Sequence, residues 1–429
     1  MIKKPSVNIQ SISLESTKKY ILLVPVFLFV LTAIFVFRWG MGSTVAEQAN
    51  NIELVKFAKS WSPHDPQIPL AEGQVWLKAG DERKVVSAYE TAVSLSPRDY
   101  RLWLALGLAR DRMDDTAGGE KAIRQAISLA PYYAIPRWQL GNLLLRQGRL
   151  DEAFAELRIA AYMMHTLQPQ IAGFAWQSYG NVTDAINALG GDPSMRAQLA
   201  KFLAQQNKLT EALTVWRGLS EAERQAEDKA GQEILTACLK GGRWRAAWEL
   251  NKTLATDGTE TTPIGAFSNP GFEGEILQQG KSSFSWQIAE GAQPTIAVDA
   301  SQRRGGTRSL LMLYSSTGGF EFRNVSQIVI VEPNTRYRLE CFFRTQEMKA
   351  VGPVKLEVID AVGAGSLIAS SEPIPNGTRE WQPLQIEFTT SEKTEAVIVR
   401  FARVPCADNN CPIFGRIWYD DFSLQRLDK

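Results

Sequence analysis

A fixed spacing of 34 residues between small residues constrains this chain more than any other feature of its sequence. The residues that recur at this interval are Gly73, Gly107 and Gly141, then Ala92, Ala126 and Ala160, and finally Pro97 and Pro131. Small side chains at a constant period allow the two helices of one unit to approach closely, and proline ends the second helix. A single helix pair cannot bury its apolar face alone, so the pattern predicts at least three stacked pairs.

The third unit carries the fullest version of this pattern. Its members are Trp138, Leu140, Gly141, Leu144, Gly148, Leu150, Ala153, Leu157 and Ala160. From Pro66 to Met164 the pattern resembles the tetratricopeptide repeat (TPR) family, whose unit is a helix-turn-helix of this period. The resemblance implies an all-α solenoid whose concave groove, lined by the first helix of each unit, binds a peptide or protein partner. The groove residues that it implies are Asn142, Arg146, Arg110 and Arg112.

The repeat continues in weaker form as far as residue 257. One degenerate copy contains Ala200, Leu209, Glu211, Ala212 and Trp216, and another contains Gly242, Trp244, Ala247 and Leu254. The segment from His165 to Gly191 departs from the pattern and is either a degenerate repeat or an irregular connection. We therefore predict a TPR-like helical domain over residues 66–257, with three full units and two or three degenerate ones.

An uncharged stretch of eighteen residues, from Tyr20 to Phe37, precedes the repeats. At about 1.5 Å per helical residue it is long enough to cross a bilayer core of about 30 Å. The charge nearest to its C-terminal end is Arg38, whereas the lysines before it are Lys3, Lys4, Lys18 and Lys19. The positive-inside rule then predicts a cytoplasmic tail (1–19), a transmembrane anchor (20–38), a linker (39–65) and a bulk outside the cytoplasm.

Two other interpretations of this stretch were weighed. A cleaved signal peptide requires a small-x-small cleavage site, and the segment from Gly42 to Ala46 is a poor version of one. A buried core helix would carry a polar face, which this stretch lacks. We predict a single-pass protein of a bacterial inner membrane, with most of the chain in the periplasm.

Beyond residue 257 the period of the pattern changes from helical spacing to alternation. Residues 258–266 are rich in turn formers and are predicted to be a linker. Seven or eight alternating stretches follow in 267–429, separated by Gly, Pro, Asn or charged turns, with no stretch of helical spacing between them. This arrangement is typical of an antiparallel β-sandwich. The predicted fold is thus multidomain: a transmembrane helix, an all-α repeat region and an all-β sandwich.

A series of short landmarks follows one order through the sandwich segment. They are NPGFEGE from Asn269, Trp286, GGTRSLLM, VEPNTRYRLECFFRT, Trp381 and the terminal GRIWYDDFSLQRL. From Phe267 to Leu427 this series resembles the jelly-roll carbohydrate-binding modules of the galactose-binding-like superfold. The resemblance implies glycan binding without catalysis, and a structural calcium ion that ties the first strand to the last. Its ligands here would be Glu273 with Asp420 or Asp421, and carboxylate oxygens are what calcium prefers.

The stretch YRLECFFRT divides into two faces by alternation. Tyr337, Leu339, Cys341 and Phe343 form the apolar face, which we predict to be core. The opposite face combines an aromatic ring with charged groups, as a sugar-binding surface requires, although a solvated sheet face has the same composition. The candidate glycan-binding residues are Arg338, Glu340, Phe342 and Arg344, joined by Tyr314, Phe320 and Phe322 around a Gly-Gly turn. Trp286, Trp381 and Trp418 are assigned to the core or its rim.

The four cysteines divide into a local pair and two single residues. Cys406 and Cys411 bracket a polar loop outside the cytoplasm, where a disulfide between them is favoured. Cys238 and Cys341 are predicted to be small buried residues in a helix and a strand.

Composition and motifs exclude several classes of function. The net charge is +1 without a long basic run, which argues against nucleic-acid binding. The two histidines, His64 and His165, lie in separate segments and have no metal-ligand spacing. No phosphate-binding glycine loop, nucleophile elbow or HExxH helix is present. No cofactor other than calcium is predicted.

Three functions remain compatible with the sequence. The first is a non-catalytic, membrane-anchored envelope adaptor, whose repeats dock a protein and whose sandwich binds a glycan in the assembly or export of an exopolysaccharide or another cell-surface polysaccharide. The second is a purely structural protein scaffold whose sandwich binds no sugar. The third is a glycan hydrolase that uses Glu340 and Glu357 as carboxylates facing one another on neighbouring strands.

Overall fold

The computed structural model describes residues 19–254, 262–276, 283–318, 320–362, 365–406 and 410–427, with side chains from residue 23 onward. The predicted cytoplasmic tail, apart from Lys19, lies outside the described residues, as do positions 258–261 of the second predicted linker. The chain divides into two compact units, residues 1–171 with 188–190 and residues 172–187 with 191–429.

Helices make up the described chain as far as Leu254. They are α1 (Lys19–Glu47), α2 (Ile52–Trp61), α3 (Gln67–Ala79), α4 (Glu82–Leu95), α5 (Tyr100–Arg112), α6 (Thr116–Leu129), α7 (Ala134–Arg146), α8 (Leu150–Met163), α9 (Gln168–Tyr179), α10 (Val182–Leu189), α11 (Pro193–Gln205), α12 (Leu209–Arg217), α13 (Glu221–Ala226), α14 (Asp228–Lys240) and α15 (Trp244–Leu254).

The N-terminal helix α1 is long and apolar enough to cross a membrane over Leu23–Glu47, by length and composition. It extends well beyond the predicted anchor, and α2 follows after a short turn. The segment 39–65, expected to be a linker, is therefore mostly helical. The reason is a small core in which Ala46 of α1 packs with Val55 and Ala58 of α2 and with Ile68 and Ala71 of α3.

The 34-residue period corresponds to three helix pairs, α3/α4, α5/α6 and α7/α8. In each pair the glycine of the first helix faces a residue sixteen positions later on the second. A Cβ atom built on Gly107 would lie 2.6 Å from Ile123, and one built on Gly141 would lie 2.5 Å from Leu157. Such distances are too short for two carbon atoms, so the close approach itself requires glycine. The recurring alanines are fully buried.

Aspartate side chains cap the starts of α4, α5 and α6 in this repeat region. The side chain of Asp99 accepts a hydrogen bond from the backbone N–H of Arg101 at 2.9 Å, and that of Asp115 accepts one from Gly118 at 2.9 Å. These bonds satisfy N–H groups that lack a partner within the helix, which is how a short polar residue sets a helix start.

The irregular segment after the third pair is also helical. A 3₁₀ turn at His165–Leu167 leads into α9 and α10, so helices rather than an irregular connection occupy this segment. The pairs α11/α12 and α14/α15 follow the weaker copies of the repeat. Ala200, Ala212, Trp216 and Ala247 are buried in them, as small or apolar residues at repeat positions should be.

The remainder of the described chain forms ten strands, more than the seven or eight expected. They are β1 (Gln287–Ile288), β2 (Thr295–Asp299), β3 (Ser309–Ser316), β4 (Val325–Ile330), β5 (Arg336–Ala350), β6 (Val354–Asp360), β7 (Leu367–Ser370), β8 (Gly377–Thr389), β9 (Ala396–Arg403) and β10 (Ile413–Leu427). They form two five-stranded sheets, in the orders β1-β4-β9-β6-β7 and β2-β3-β10-β5-β8. Pairing within both sheets is antiparallel, which confirms the predicted β-sandwich.

Aromatic rings fill the space between the two sheets. The rings of Phe401 on β9 and Tyr419 on β10 lie 4.5 Å apart between centroids, and Trp286 packs against Phe272 and Phe422 at 5.2 and 5.0 Å. Trp286 is buried in this core and Trp381 is half-buried, as expected. Trp418 is also buried, but it lies opposite Arg344 on the other face of its sheet, where its indole N–H donates to Asp299 at 2.7 Å. Tilted and edge-on contacts between rings add to the stabilisation from apolar burial.

The last helix is joined to the sandwich by polar contacts that the sequence did not indicate. The indole N–H of Trp244 on α15 donates to the backbone carbonyl of Ala361 at 2.9 Å. Arg245 forms an ion pair with Glu332 at 2.8 Å, and its backbone N–H donates to the carboxylate of Glu395. The second degenerate copy of the repeat is therefore in direct contact with the sandwich.

Candidate functional site

The outer face of β5 is the candidate ligand surface. Alternation along the strand places Arg338, Glu340, Phe342 and Arg344 on one side of the sheet, while Leu339, Cys341 and Phe343 are buried on the other. The structure therefore brings four of the seven candidate glycan-binding residues together, on the sheet face that points away from the core.

Three of these four side chains have partners on the neighbouring strand β8. Arg338 donates two hydrogen bonds to Glu387, the shorter at 2.6 Å, and Glu340 accepts one from Gln385. Arg344 forms an ion pair with Glu380. Hydrogen bonds from Arg338 and Arg336 lower the pKa of the Glu387 carboxyl below its usual value, so this carboxylate is ionised at neutral pH. On β5 and β8 this face therefore consists of paired charged and amide side chains, with the ring of Phe342 among them.

The ring of Phe342 is capped by Arg304, which lies in the loop between β2 and β3. The guanidinium carbon is 3.4 Å from the ring centroid, and Arg304 also forms an ion pair with Asp421 at 2.5 Å. A sugar ring that stacked on this side of Phe342 would have to take the place of the guanidinium. Arg304 was missed by the sequence reasoning because it comes from a loop without a periodic pattern.

The other three candidate residues lie elsewhere. Tyr314 is 1% exposed in the core, because the inward positions of β3 are Leu310, Met312 and Tyr314. Burial raises the pKa of its phenol, and the residue is removed from the ligand-facing set.

Phe320 and Phe322 belong to the connection between β3 and β4. Both pack against the core. The guanidinium carbon of Arg403 on β9 lies 4.8 Å from the ring centroid of Phe320.

The three predicted calcium ligands converge on the turn that precedes β3. Their oxygens lie 3.5–3.8 Å from the position of a Cβ atom built on Gly271, and all three are carboxylates. However, each is already engaged: Glu273 accepts from the backbone N–H of Thr307, Asp420 accepts from that of Arg304, and Asp421 pairs with Arg304. Among the described residues, no group of three or more His, Cys, Asp or Glu side chains is arranged to hold a metal ion. The calcium ion stays a prediction.

The pKa values of these carboxyl groups shift in opposite directions. Hydrogen bonds from Thr307 lower the pKa of Glu273. Burial raises the pKa of Asp420, and the neighbouring Asp421 raises it further, against the effect of the backbone donors.

The two carboxylates considered for hydrolysis do not face one another. Glu340 lies on β5 and Glu357 on β6, which belong to different sheets. Glu357 is also bound by Arg400 at 2.8 Å and Lys355 at 3.0 Å. Burial raises the pKa of its carboxyl, but the hydrogen bonds from Arg400 and Lys355 outweigh this effect, and the net pKa is lowered. An ionised, ion-paired carboxylate is poorly suited to act as a general acid.

The cysteines are placed by the structure in two environments. Cys406 and Cys411 are joined by a disulfide, with their Cα atoms 5.8 Å apart. Cys238 on α14 and Cys341 on β5 are free and buried. Burial raises the pKa of the Cys238 thiol to about 11, and it also raises that of Cys341, so neither is a reactive thiolate at neutral pH.

Three of the four predicted groove residues make contacts within the helices. Arg110 forms an ion pair with Glu90 at 2.8 Å, Arg146 forms one with Asp111, and the amide of Asn142 donates to the backbone carbonyl of Trp138. Arg112 is exposed at the end of α5 and has no ion pair among the residues that the structure describes.

An exposed group of tyrosines in the same unit was not indicated by the repeat pattern. Tyr132 is 86% exposed and Tyr133 is 56% exposed, in the turn between α6 and α7. The rings of Tyr100 and Tyr133 lie 5.0 Å apart, and both border a shallow cavity of about 540 Å³. The turn positions after Pro131 carry no core constraint in the repeat, so large exposed side chains there were a usable signal.

Comparison with curated proteins found a partial relative of the helical region. The chain is 25% identical over 113 residues to the "Peroxisomal targeting signal receptor" of Saccharomyces cerevisiae, and 25% identical over 104 residues to the receptor of the same name from Kluyveromyces lactis. The match covers 26% and 24% of this chain, and spans 18% of the length of each receptor. No model of a known protein family matches the chain.

Solved structures similar to this chain include several carbohydrate-binding modules. One described as "CBM4 structure and function" is 13% identical, with 38% of this chain and 99% of that chain covered and a TM-score of 0.28. TmCBM61 in complex with beta-1,4-galactotriose is 19% identical, with 38% and 100% covered and a TM-score of 0.27. Since these TM-scores are below 0.5, the sandwich is assigned from its own strand pairing. Fold and site together define a helical-repeat protein with an apolar N-terminal helix and a C-terminal β-sandwich.

Proposed function

We propose that this protein is a non-catalytic adaptor anchored in a membrane by α1, which docks a protein through its helical repeats and binds a glycan on its sandwich. The observation that carries the proposal is the outer face of β5, where one aromatic ring lies among side chains that donate and accept hydrogen bonds. Sugar recognition needs a ring for stacking and polar groups that orient the hydroxyls. The assembly or export of an exopolysaccharide or another cell-surface polysaccharide is the proposed setting.

The protein-docking half of the proposal is supported by the exposed tyrosines of the repeat region. Tyrosine supplies a large contact area at low entropic cost and is enriched where proteins bind one another. The name of the partial relatives describes receptors of a targeting signal, which is in keeping with recognition of a peptide segment by this part of the chain.

A periplasmic location and an N-terminus in the cytoplasm complete the proposal. The asymmetry of lysines around the uncharged stretch supports this orientation. A disulfide between Cys406 and Cys411 is favoured in an oxidising compartment, and a calcium ion held by Glu273, Asp420 and Asp421 would be a structural group.

A second candidate, a scaffold whose sandwich binds no sugar, is favoured by one specific observation. Arg338, Glu340 and Arg344 already have partners on β8, as on an ordinary solvated sheet face. Binding of the full chain, in detergent and with calcium present, to an array of bacterial and plant glycans separates the two candidates.

If the protein is a glycan-binding adaptor, the wild-type chain should bind a glycan, and Phe342→Ala should lower that affinity at least about tenfold. The reason is that stacking on an aromatic ring is worth about 1–3 kcal/mol on other aromatic platforms. Trp381→Phe is the matched aromatic control, since Trp381 is assigned to the rim. Retention of no glycan by the wild-type chain would establish the scaffold instead.

A further inference from the structure

The helices α1 and α2 form an antiparallel hairpin, and contacts between them position the C-terminal end of α2 along α1. The hydroxyl of Ser62 donates to the backbone carbonyl of Arg38 at 3.0 Å, and the guanidinium of Arg38 donates to the carbonyl of Ser60 at 3.2 Å. One turn further along α1, a Cβ atom built on Gly42 would lie 2.6 Å from the hydroxyl oxygen of Ser62 and 3.3 Å from the carbonyl oxygen of Ala58. The end of α2 is thereby held beside Arg38, the first charge after the uncharged stretch.

Aromatic residues cluster around Arg38 and the C-terminal end of α2. The ring of Trp61 lies 6.3 Å from that of Phe37 and 6.0 Å from that of Phe57. Trp39 and Phe57 are about half exposed. Tryptophan beside a long cationic side chain is the composition found where a membrane helix meets the headgroup region.

A groove of about 480 Å³ runs along the hairpin at this position. Its lower part is formed by Leu31 on one turn of α1 and by Ile34 and Phe35 on the next, and its upper rim includes Arg38 and Asp65. Leu31 precedes Arg38 by seven residues, which is about 10 Å along a helix. The groove thus leads from the apolar stretch of α1 to a charged rim.

Among the residues that the structure describes, the rim contains a buried oxygen atom without a hydrogen-bond partner. Asp65 is 3% exposed, and its Oδ1 accepts a hydrogen bond from the backbone N–H of Gln67 at 2.9 Å. Its Oδ2 has no hydrogen-bond partner among the described residues. A buried carboxylate oxygen is costly to leave unpaired, so this atom calls for a donor supplied by a ligand.

We propose that this groove binds a membrane phospholipid with a phosphoethanolamine headgroup. One acyl chain lies along Leu31, Ile34 and Phe35, Arg38 binds the phosphodiester, and Oδ2 of Asp65 accepts a hydrogen bond from the primary ammonium. The proposal rests on the proposed anchoring of α1 in a membrane. It distinguishes headgroups by their chemistry: a glycerol headgroup lacks the cation, and the quaternary ammonium of choline lacks an N–H to donate.

The test is headgroup competition on the full chain. The protein is reconstituted in nanodiscs that contain equal amounts of phosphatidylethanolamine, phosphatidylcholine and phosphatidylglycerol, and the lipids that remain bound are identified by native mass spectrometry. We expect phosphatidylethanolamine to be retained at least about tenfold over each of the others, the effect of one charge-assisted hydrogen bond. Equal retention of the three lipids by the wild-type protein would overturn the proposal without any variant.

Two variants test the assigned roles. Asp65→Asn keeps the acceptor for Gln67 and should bring the three lipids within about twofold of one another, since the ammonium loses its charged acceptor. Arg38→Gln should reduce the retention of all three. The matched controls are Glu47→Gln and Lys59→Gln, which remove one charge from α1 or α2 outside the groove and should leave retention unchanged.

Membrane insertion is measured on the same samples by flotation with liposomes and by resistance to alkaline extraction. A chain that inserts but shows no preference for ethanolamine overturns only the lipid site, with water then satisfying Asp65. A chain that does not insert overturns both the anchor and the lipid site.

Discussion

Single residues set the closest contacts of the helical region. The repeat glycines face branched or aromatic side chains at distances that no Cβ atom tolerates. Their spacing is therefore a record of packing within each pair, and not of a ligand site. The same reasoning applies to the buried alanines of the second helices, which explains why so regular a pattern contains little direct information about function.

Gly107→Ala should destabilise the helical region. The added methyl group would lie 2.6 Å from Ile123 and 3.0 Å from the carbonyl oxygen of Gly119, and the backbone atom cannot move away cheaply. We expect a loss of about 1–3 kcal/mol, the usual cost of overpacking. Chemical denaturation followed by circular dichroism measures it. The exposed Lys121→Ala on α6 is the control, and equal midpoints for the two variants would contradict the close approach.

Glu357 predicts a pH dependence of stability. The folded-state pKa of its carboxyl is lowered, so the unfolded state binds the proton more tightly. The stability that this group contributes is then fully present above its ordinary pKa, about 4.5, and is lost as the pH falls through the lower folded-state value. Thermal unfolding at pH 6 and at pH 3.5 should show a smaller acid-induced loss in Glu357→Gln than in the wild type. In the exposed control Glu372→Gln the loss should stay at the wild-type level; a Glu357→Gln profile that overlays the wild type refutes the effect.

At the scale of elements, two polar connections involve the sandwich. One joins α15 to it, and the other joins the segment around Glu273 to the turn that precedes β3. Both are built from polar groups between segments that are distant in sequence, such as Trp244 with Ala361 and Glu273 with Thr307. Neither pair follows a local period, so only folding brings its members together.

Trp244→Phe tests the first connection. The variant keeps most of the ring and removes the N–H, which leaves the carbonyl of Ala361 without that donor. We expect a destabilisation of about 1–2 kcal/mol, the cost of losing a partly buried hydrogen bond and leaving its acceptor unmet. Urea denaturation monitored by tryptophan fluorescence provides the measurement. Lys252→Ala on the same helix should be nearly neutral, and a neutral Trp244→Phe would show that the contact contributes nothing.

Calcium at the second connection is tested by thermal unfolding with 5 mM calcium or with excess chelator. This calcium concentration exceeds a dissociation constant of about 50 μM or less by at least about 100-fold. If the ion binds, its removal should lower the midpoint by several degrees, and Glu273→Gln should abolish the difference. The control is Glu275→Gln, two residues away. Identical midpoints with and without calcium would leave the carboxylates as partners of the turn alone.

At the scale of the whole molecule, the question is which compartment the sandwich occupies. The apolar helix, the lysines before it and the cysteine pair bear on this question independently. An anchored adaptor requires all three to agree, because the repeats and the sandwich must be on the same side of the membrane to act together.

Cysteine labelling provides that measurement. Protein extracted from its native membrane is denatured without reductant and treated with an alkylating reagent. We expect two labels, on Cys238 and Cys341, and four after reduction, because the pair Cys406–Cys411 is protected. Cys406→Ser should take three labels without reduction. Four labels on the unreduced wild type would place the sandwich in a reducing compartment and contradict the proposed orientation.

Local patterns in the sequence are enough to predict the elements and the faces of those elements. The 34-residue period identified the helix pairs, and alternation identified β5 and its outward residues, because both periods are geometric properties of a single helix or strand. Even the burial of Tyr314 was available from this rule, since Leu310 and Met312 share its face.

Which residues become partners depends, in contrast, on how the chain folds. In the folded chain Glu340 and Glu357 lie on different sheets, and Glu387 lies opposite Arg338. The guanidinium of Arg304 lies over the ring of Phe342, and the segment 39–65 includes the helix α2. Strand order, register and loop position depend on contacts between segments far apart in the chain, and no local spacing encodes them. The groove that both Arg38 and Asp65 line is of this kind, because it forms only when α1 and the segment after α2 come together.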